Sequence, residues 1–251
     1  MRVVAIIPAR YASTRFPAKP LAKLGSMTVI ERVYRKVSEV IPEVFVATDD
    51  ERIATCVTSF GGRAIMTSEH HKSGTDRCYE AYTKCAIEAD VVVNVQGDEP
   101  FIAAEQICSI LDCFDQSEVD IATLVKPFAP SDGIEKLENP NSPKVVLDQR
   151  SRALYFSRSV VPYLRGVERG EWLAQHTFYK HIGMYAFRTE ALAAVTALPQ
   201  SPLEVAESLE QLRWLENGYQ IGVGITNIET IGIDTPDDLR AAEEYLQGIK
   251  E

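Results

Sequence analysis

No apolar stretch of the chain approaches the roughly 20 residues that a membrane helix needs. A basic N-terminal segment leading into a signal-length apolar run is also missing, so a cytoplasmic protein without stable membrane association is expected. Cysteine is sparse. Cys56, Cys78, Cys85, Cys108 and Cys113 are odd in number and form no CxxC pair, which favours small buried hydrophobes in a reducing compartment over disulfides or metal ligands. Basic charge is in deficit: 26 Lys and Arg face 36 Asp and Glu, a net charge of −10. That disfavours a broad nucleic-acid surface, which needs a basic stripe to displace counterions. A small anionic ligand in a local basic pocket remains open. Three enzyme fingerprints are absent: the dinucleotide G-x-G-x-x-G, the P-loop G-x-x-x-x-G-K-[ST], and the hydrolase G-x-S-x-G.

At 251 residues the chain can bury a large core, as one α/β domain from 1 to 251 with or without a sub-domain. Val3 to Ile7 is a continuous apolar run, read as a strand buried on both faces, and it ends at Pro8. The loop that follows carries Arg10, Ser13, Thr14, Arg15 and Lys19. Open α/β sheets bind ligands at the carboxyl ends of their strands. Guanidinium groups fork onto phosphate oxygens and an ammonium adds a mobile point charge, so this loop suits a polyphosphate better than it suits plain solvent.

Strand and helix patterns then alternate, as a parallel sheet with covered faces requires. Thr28–Glu31 reads as a capping box, and helical spacing runs to Ile41. Val44–Thr48 is a short strand. The polar segment 70–77 leads into a helix whose cap is expected at Thr75; Ser73 and Arg77 could instead read a base there. His70 and His71 are expected on a surface loop. Asp90–Gln96 is the strongest central strand and runs into Gly97-Asp98-Glu99-Pro100, where Asp98 can serve a hard cation such as Mg²⁺ and Gly97 can admit a ligand close to the backbone. Between about 126 and 187, strands are separated by loops rich in Pro, Asn, Gly and Asp. This predicts an inserted, partly antiparallel sub-domain contributing to substrate and dimer contacts. Within it, Tyr179, His181 and Tyr185 are expected on one strand face around Gly183. One long helix is expected over Leu203–Asn217, a short strand over Thr230–Asp234, and a final helix capped at Thr235. Asp234 is a second candidate carboxylate for a cation, or simply part of that cap.

The ordered set IIPARYASTRFPAKPL, VATDDERI, HHKSGTDR, NVQGDEP, ALYFSRSVVP, YKHIGMYAF, SPLEVAESLEQLRWLENG and GIDTPDDL closely resembles the 3-deoxy-manno-octulosonate (Kdo) cytidylyltransferase family, from about residue 2 to about 240. The resemblance implies a Rossmann-like nucleotidyltransferase fold with a mainly parallel central sheet and a smaller, partly antiparallel dimerisation sub-domain. It implies a homodimer, Mg²⁺ dependence, and the reaction of CTP with Kdo to give CMP-Kdo and diphosphate for lipopolysaccharide. It assigns Arg10, Ser13, Arg15 and Lys19 to the triphosphate, and Ser73, Arg77 and Gln96 to the cytidine. Asp98 and Asp234 fall to the metal, with Arg15, Lys19, Asp98 and Asp234 as the catalytic set. Arg158, His181, Tyr185, Glu210 and Gln211 fall to the sugar acid, although Arg158 can instead anchor the sub-domain. Alternatives are a cytidylyltransferase for 8-amino-Kdo or sialic acid, and a non-catalytic nucleotide-binding regulator. The one departure is Ala18, where the family usually has Gly. Its methyl group is expected either to narrow the phosphate loop or to have no effect if the backbone there is helical or extended.

Overall fold

The computed structural model describes residues 1–12, 15–228 and 231–248. In chain order its strands are β1 (Val3–Ala9), β2 (Lys23–Leu24), β3 (Met27–Thr28), β4 (Val44–Thr48), β5 (Ala64–Met66), β6 (Val91–Asn94), β7 (Ile121–Pro127), β8 (Lys144–Leu147), β9 (Ala153–Ser157), β10 (Tyr179–Arg188) and β11 (Ile221–Ile225). The helices are α1 (Val29–Ser38), α2 (Glu51–Ser59), α3 (Gly74–Lys84), α4 (Ala104–Asp112), α5 (Gly133–Glu138), α6 (Trp172–Gln175), α7 (Thr189–Thr196), α8 (Pro202–Glu207), α9 (Glu210–Glu216) and α10 (Pro236–Gly248). The chain divides into two units. The first holds Met1–Ile107, Arg188–Thr196 and residues 231–248; the second holds Cys108–Phe187 and residues 197–228.

The first unit is built on four parallel strands in the order β6-β1-β4-β5. β1 is flanked on both sides, and Val4, Ala5, Ile6 and Ile7 are buried, as an uninterrupted apolar run requires. α1 buries Val29, Ile30, Val33 and Val37, each such side chain contributing about 1.5–3 kcal/mol of transfer free energy. Its N-terminus is capped by Thr28, whose side chain accepts from the Glu31 N–H. The chain passes from β1 to β4 and β5 on one side and only then to β6 on the other. The strand order therefore reverses between β1 and β6, the place where sheets of this kind open a crevice at their carboxyl edge. Gly97 stands at that edge. A Cβ there would lie 2.8 Å from the Pro8 carbonyl oxygen, so the glycine is required by the approach of the chain to itself rather than by a ligand.

A smaller core packs Leu24, Val29, Ile233 and Ala242 together, with Phe16, Phe101 and Leu239 around them. It seats α10 and the segment before it. Residues 231–234 form no strand, contrary to the expected Thr230–Asp234; Thr230 itself lies outside the described residues. Instead the Ile233 N–H donates to the Asp98 carbonyl at 2.9 Å. The expected cap is present: Thr235 Oγ1 accepts from the Asp238 N–H at 3.2 Å, and the Asp238 carboxylate accepts from the N–H of both Asp234 and Thr235.

The second unit is larger than the 126–187 insertion expected from the loop composition. Its strands run β11-β7-β10-β8-β9, with only β11 and β7 parallel. That parallel pair, Ile121–Val125 against Ile221–Ile225, draws segments on both sides of the insertion into the unit. Phe128, Leu137, Trp172 and Phe178 form its arm core. The single helix expected over 203–217 is two helices. Ser208 lies between them with φ 50°, a left-handed conformation that ends α8. The turn sends the Glu207 carboxylate to the Ser157 hydroxyl (2.7 Å) and the Arg158 N–H (2.9 Å). All five cysteines are free thiols. No helix among the described residues is long and apolar enough to cross a membrane.

Gly224, on β11, is packed against α4. A Cβ there would meet Ser109 Oγ at 2.6 Å and the Ser109 carbonyl oxygen at 2.8 Å. Gly224→Ala is expected to lower unfolding stability by about 1–3 kcal/mol through overpacking, read as a lower urea midpoint at unchanged slope.

Candidate active site

A cleft of about 340 Å³ opens in the first unit at the ends of β1 and β6. Arg10, Arg15, Lys19, Ser73, Arg77, Gln96, Asp98 and Asp234 all line it, together with Pro8, Gly97 and His71. Ser13 lies outside the described residues. The decisive contact is at Lys19. Its ammonium donates to Asp98 Oδ2 at 2.5 Å and to Asp234 Oδ1 at 3.1 Å. Arg15 Nη2 lies 3.2 Å from the other oxygen of Asp234. Two carboxylates 136 positions apart in the chain thus converge on one cation. The Ile233-to-Asp98 backbone bond described above holds their segments together.

Lys19 opens a 3₁₀ turn, Lys19–Leu21, with Pro20 buried behind it. Ala18 precedes that turn at φ 59°, ψ 18°. The backbone there is neither helical nor extended in the right-handed sense, so the expectation that the methyl group is without effect does not hold. A left-handed alanine costs about 1–2 kcal/mol, and glycine relieves that clash. The Ala18 N–H is tied to the Tyr11 carbonyl at 3.0 Å. Arg52 stacks on the Tyr11 ring, with its guanidinium carbon 3.3 Å from the centroid.

The residues expected at the cytidine have structural partners of their own. Ser73, not Thr75, caps α3: its side-chain oxygen accepts from the Asp76 N–H. The Ser73 hydroxyl hydrogen is left to donate elsewhere. Arg77 is buried, with Nη1 on Thr67 Oγ1 at 2.6 Å and Nη2 on Asp49 Oδ2 at 2.8 Å. Its charge is therefore compensated within the wall of the cleft. His71 is not on an open surface loop as expected. It lines the cleft and its Nε2 meets Glu80, whose carboxylate also accepts from Lys84 (2.6 Å) and the Ser68 N–H (2.9 Å). Burial works against ionisation of Glu80, but those hydrogen bonds outweigh it and hold its pKa down at about 2. Glu80 lies nine residues after His71, one to two turns into α3, and no motif marks the pair.

Asp98 and Asp234 fit a hard cation. Both present oxygen donors at one point, and Mg²⁺ takes one or two carboxylates while completing its shell with phosphate oxygens and water. Among the described residues no group of three His, Cys, Asp or Glu side chains makes an all-protein metal cage.

The other five residues gather in the second unit. β10 carries a bulge between Ile182 and Tyr185, which interrupts the simple alternation expected there. Thr123 fills it, with its Oγ1 2.8 Å from the Met184 carbonyl and 3.0 Å from His181 Nε2. The His181 ring packs 5.2 Å from Phe156 and 5.4 Å from Tyr185. Burial lowers the His181 pKa to about 3, so the imidazole is neutral at pH 7. Tyr185 is pushed well above the usual phenol value by burial and by the negative charge of Glu210. The Tyr185 hydroxyl, Gln211 Nε2 and Trp214 Nε1 are buried without a hydrogen-bond partner among the described residues. Trp214 packs edge-on to Tyr185 at 4.9 Å; helical spacing puts it on one face with Glu207, Glu210 and Gln211, but no motif marks it as a site residue. Arg158 is the anchor: its Nε donates to the Glu207 carbonyl (2.6 Å), Nη1 to Pro140 (2.9 Å) and Nη2 to Ser208 (3.2 Å). Beneath it, Lys144 donates to the Arg158 carbonyl at 2.6 Å.

The cytidylyltransferase family model matches residues 4–225. The chain belongs to the cytidylyltransferase family. It is 63% identical, over 98% of each chain, to a protein of Phocaeicola vulgatus named 3-deoxy-manno-octulosonate cytidylyltransferase. A protein of the same name from Bacteroides thetaiotaomicron is 62% identical, over 98% of this chain and 99% of the relative. Among solved structures, CMP:2-keto-3-deoxy-manno-octonic acid synthetase complexed with CTP superposes with a TM-score of 0.90 at 38% identity, covering 99% of both chains.

Two predictions follow from the geometry of this cytidylyltransferase. Ala18→Gly is expected to raise unfolding stability by about 1 kcal/mol by relieving the left-handed alanine, measured by urea denaturation. His181 is also a source of acid lability. The unfolded chain takes up a proton near pH 6.5 and the folded chain only near 3, so stability falls as pH drops through that window. The slope is about 1.4 kcal/mol per pH unit, and His181→Asn is expected to remove about 2 kcal/mol of the loss between pH 7 and pH 5.

Proposed function

We propose that this cytidylyltransferase activates Kdo: CTP and 3-deoxy-D-manno-octulosonate give CMP-Kdo and diphosphate. The convergence of Lys19, Asp98 and Asp234 at the end of β1 and β6 carries the proposal, because it combines phosphate-binding cations with metal-binding carboxylates in one cleft. High identity to named Kdo cytidylyltransferases supports the choice of sugar.

In this reaction the anomeric oxygen of the sugar forms a bond to the α-phosphorus, and the bond from that phosphorus to the oxygen bridging to the β-phosphate breaks. The sugar hydroxyl loses its proton and diphosphate departs with the electron pair. Arg10, Arg15 and Lys19 bind the triphosphate, and Arg15 and Lys19 absorb charge that develops on the leaving group. Ser13 is assigned to the same segment. Ser73 donates its hydroxyl to the nucleotide, while Arg77 and Gln96 form the wall around the base. Asp98 and Asp234 would hold Mg²⁺, which when bound neutralises phosphate charge and favours ionisation of the attacking hydroxyl. His181, Tyr185, Glu210 and Gln211 receive the sugar acid. Tyr185 and Gln211 offer it buried donors that lack other partners, and sites of that kind reject substrates missing the matching hydroxyls. His181 orients rather than deprotonates, since a pKa of about 3 makes it a poor base. Arg158 holds the Glu207, Ser208 and Pro140 carbonyls and so positions the backbone beside the sugar-acid residues.

The working form is read as a cytoplasmic homodimer. The second unit exposes Leu154, Tyr163 and Val205, apolar side chains that a subunit contact would cover. The net charge of −10 argues against a nucleic-acid partner.

Asp98→Asn tests the assignment. It is expected to cut diphosphate release by about 10²-fold or more while leaving the circular dichroism spectrum unchanged, because it removes a charge at the phosphates and no core packing. Turnover near the parent level would remove Asp98 from the reaction. Parallel assays with 8-amino-Kdo and sialic acid are expected to give lower kcat/KM than Kdo.

A further inference from the structure

The Lys19 ammonium is held by carboxylates of the chain itself. It lies within 3.1 Å of an oxygen on each of the two carboxylates, and its side chain is only 14% exposed. Arg15 covers the second oxygen of Asp234. Asp98 and Asp234 are thus already neutralised by the chain itself. A divalent cation entering between them meets a fixed positive charge within hydrogen-bond distance of its own ligands, in a partly buried setting where salt screens weakly. Lys19 cannot drift far away, because it sits in a short turn locked by buried Pro20 and by the backbone bond from Ala18 to Tyr11. A triphosphate offers the same ammonium a richer set of anionic oxygens in the same cleft.

We propose that Lys19 is the resident counter-cation of Asp98 and Asp234 and makes metal binding conditional on nucleotide. Without nucleotide, Lys19 occupies the carboxylates and opposes the metal. With nucleotide, Lys19 turns to the phosphates, and Asp98 and Asp234 become available as metal ligands. Lys19 therefore has two duties: it neutralises phosphate charge, and it keeps metal and nucleotide binding coupled. Such coupling is reciprocal, so each ligand tightens the other by the same factor. This inference rests on reading Asp98 and Asp234 as metal carboxylates.

Mn²⁺ binding followed by the electron paramagnetic resonance signal of the free ion tests it without turnover. In the absence of nucleotide, Lys19→Met and Lys19→Gln are each expected to bind Mn²⁺ on the order of tenfold more tightly than the parent. Lys19→Arg, which keeps the charge, is expected to stay near the parent. The double variant Lys19→Met/Asp98→Asn is expected to lose the gain. The parent is expected to take up Mn²⁺ once CTP is added, beyond the Mn²⁺ that CTP holds alone. If the parent gains Mn²⁺ with CTP but neither neutral variant binds it more tightly without CTP, the conditional role of Lys19 is overturned and the metal carboxylates stand. If the gain survives in the double variant, the ion sits elsewhere and the role is likewise overturned. If the parent gains no Mn²⁺ with CTP, the metal assignment fails and takes this inference with it. Circular dichroism on each variant confirms that the compared proteins are folded.

Discussion

An ammonium shared by two carboxylates organises the first unit. Asp98 and Asp234 carry like charges at one point, and a cation between them offsets their repulsion. Lys19 supplies it, and Arg15 assists at Asp234. The surrounding construction serves to keep the three groups in register. β1 and β6 end side by side, Gly97 allows their loops to touch, and the Ile233 core seats the segment that bears Asp234. A site assembled this way is charged but balanced. On the proposed reading, phosphate and metal would enter as a pair of opposite charges that replace an existing ion contact, rather than as charges brought into an unprepared cleft.

The second unit uses a different principle. Its charged groups are mostly consumed by structure: Arg158 on three carbonyls, Lys144 on the carbonyl of Arg158, Glu207 on Ser157 and Arg158. Three of the buried donors it leaves without a hydrogen bond are neutral. The Tyr185 hydroxyl, Gln211 Nε2 and Trp214 Nε1 are buried donors whose desolvation is costly unless something accepts from them. A polyhydroxylated sugar acid matches that demand. The low pKa of His181 belongs to the same neutral environment.

Much of this was legible from residue order. The buried run before Pro8, the basic loop behind it and the strand ending in Gly97-Asp98 put the candidate phosphate and metal residues at one sheet edge, because parallel strands end where their ligands bind. Other features had no local signal. Nothing in Leu203–Asn217 breaks a helix pattern, and Ser208 turns left-handed because tertiary bonds to Glu207 reward it. Asp234 reaches Asp98 through a backbone bond and a small core, not through the strand that its apolar neighbours suggested. The extent of the second unit depends on β7 pairing with β11, about a hundred residues away. His71 joins the cleft only because Glu80, on the next helix, holds it there. Ala18 departs from the family's usual glycine in the sequence, but its left-handed backbone is a three-dimensional fact.

The central claim is that one cleft holds the nucleotide for transfer to an anionic sugar. The most direct measurement is product formation by the parent protein with CTP, Kdo and Mg²⁺, following diphosphate and identifying the nucleotide product by mass spectrometry. The account predicts one diphosphate per CMP-Kdo, with no release when either substrate is left out. Folded protein that releases none, or that releases diphosphate from CTP at the same rate without Kdo, would contradict it.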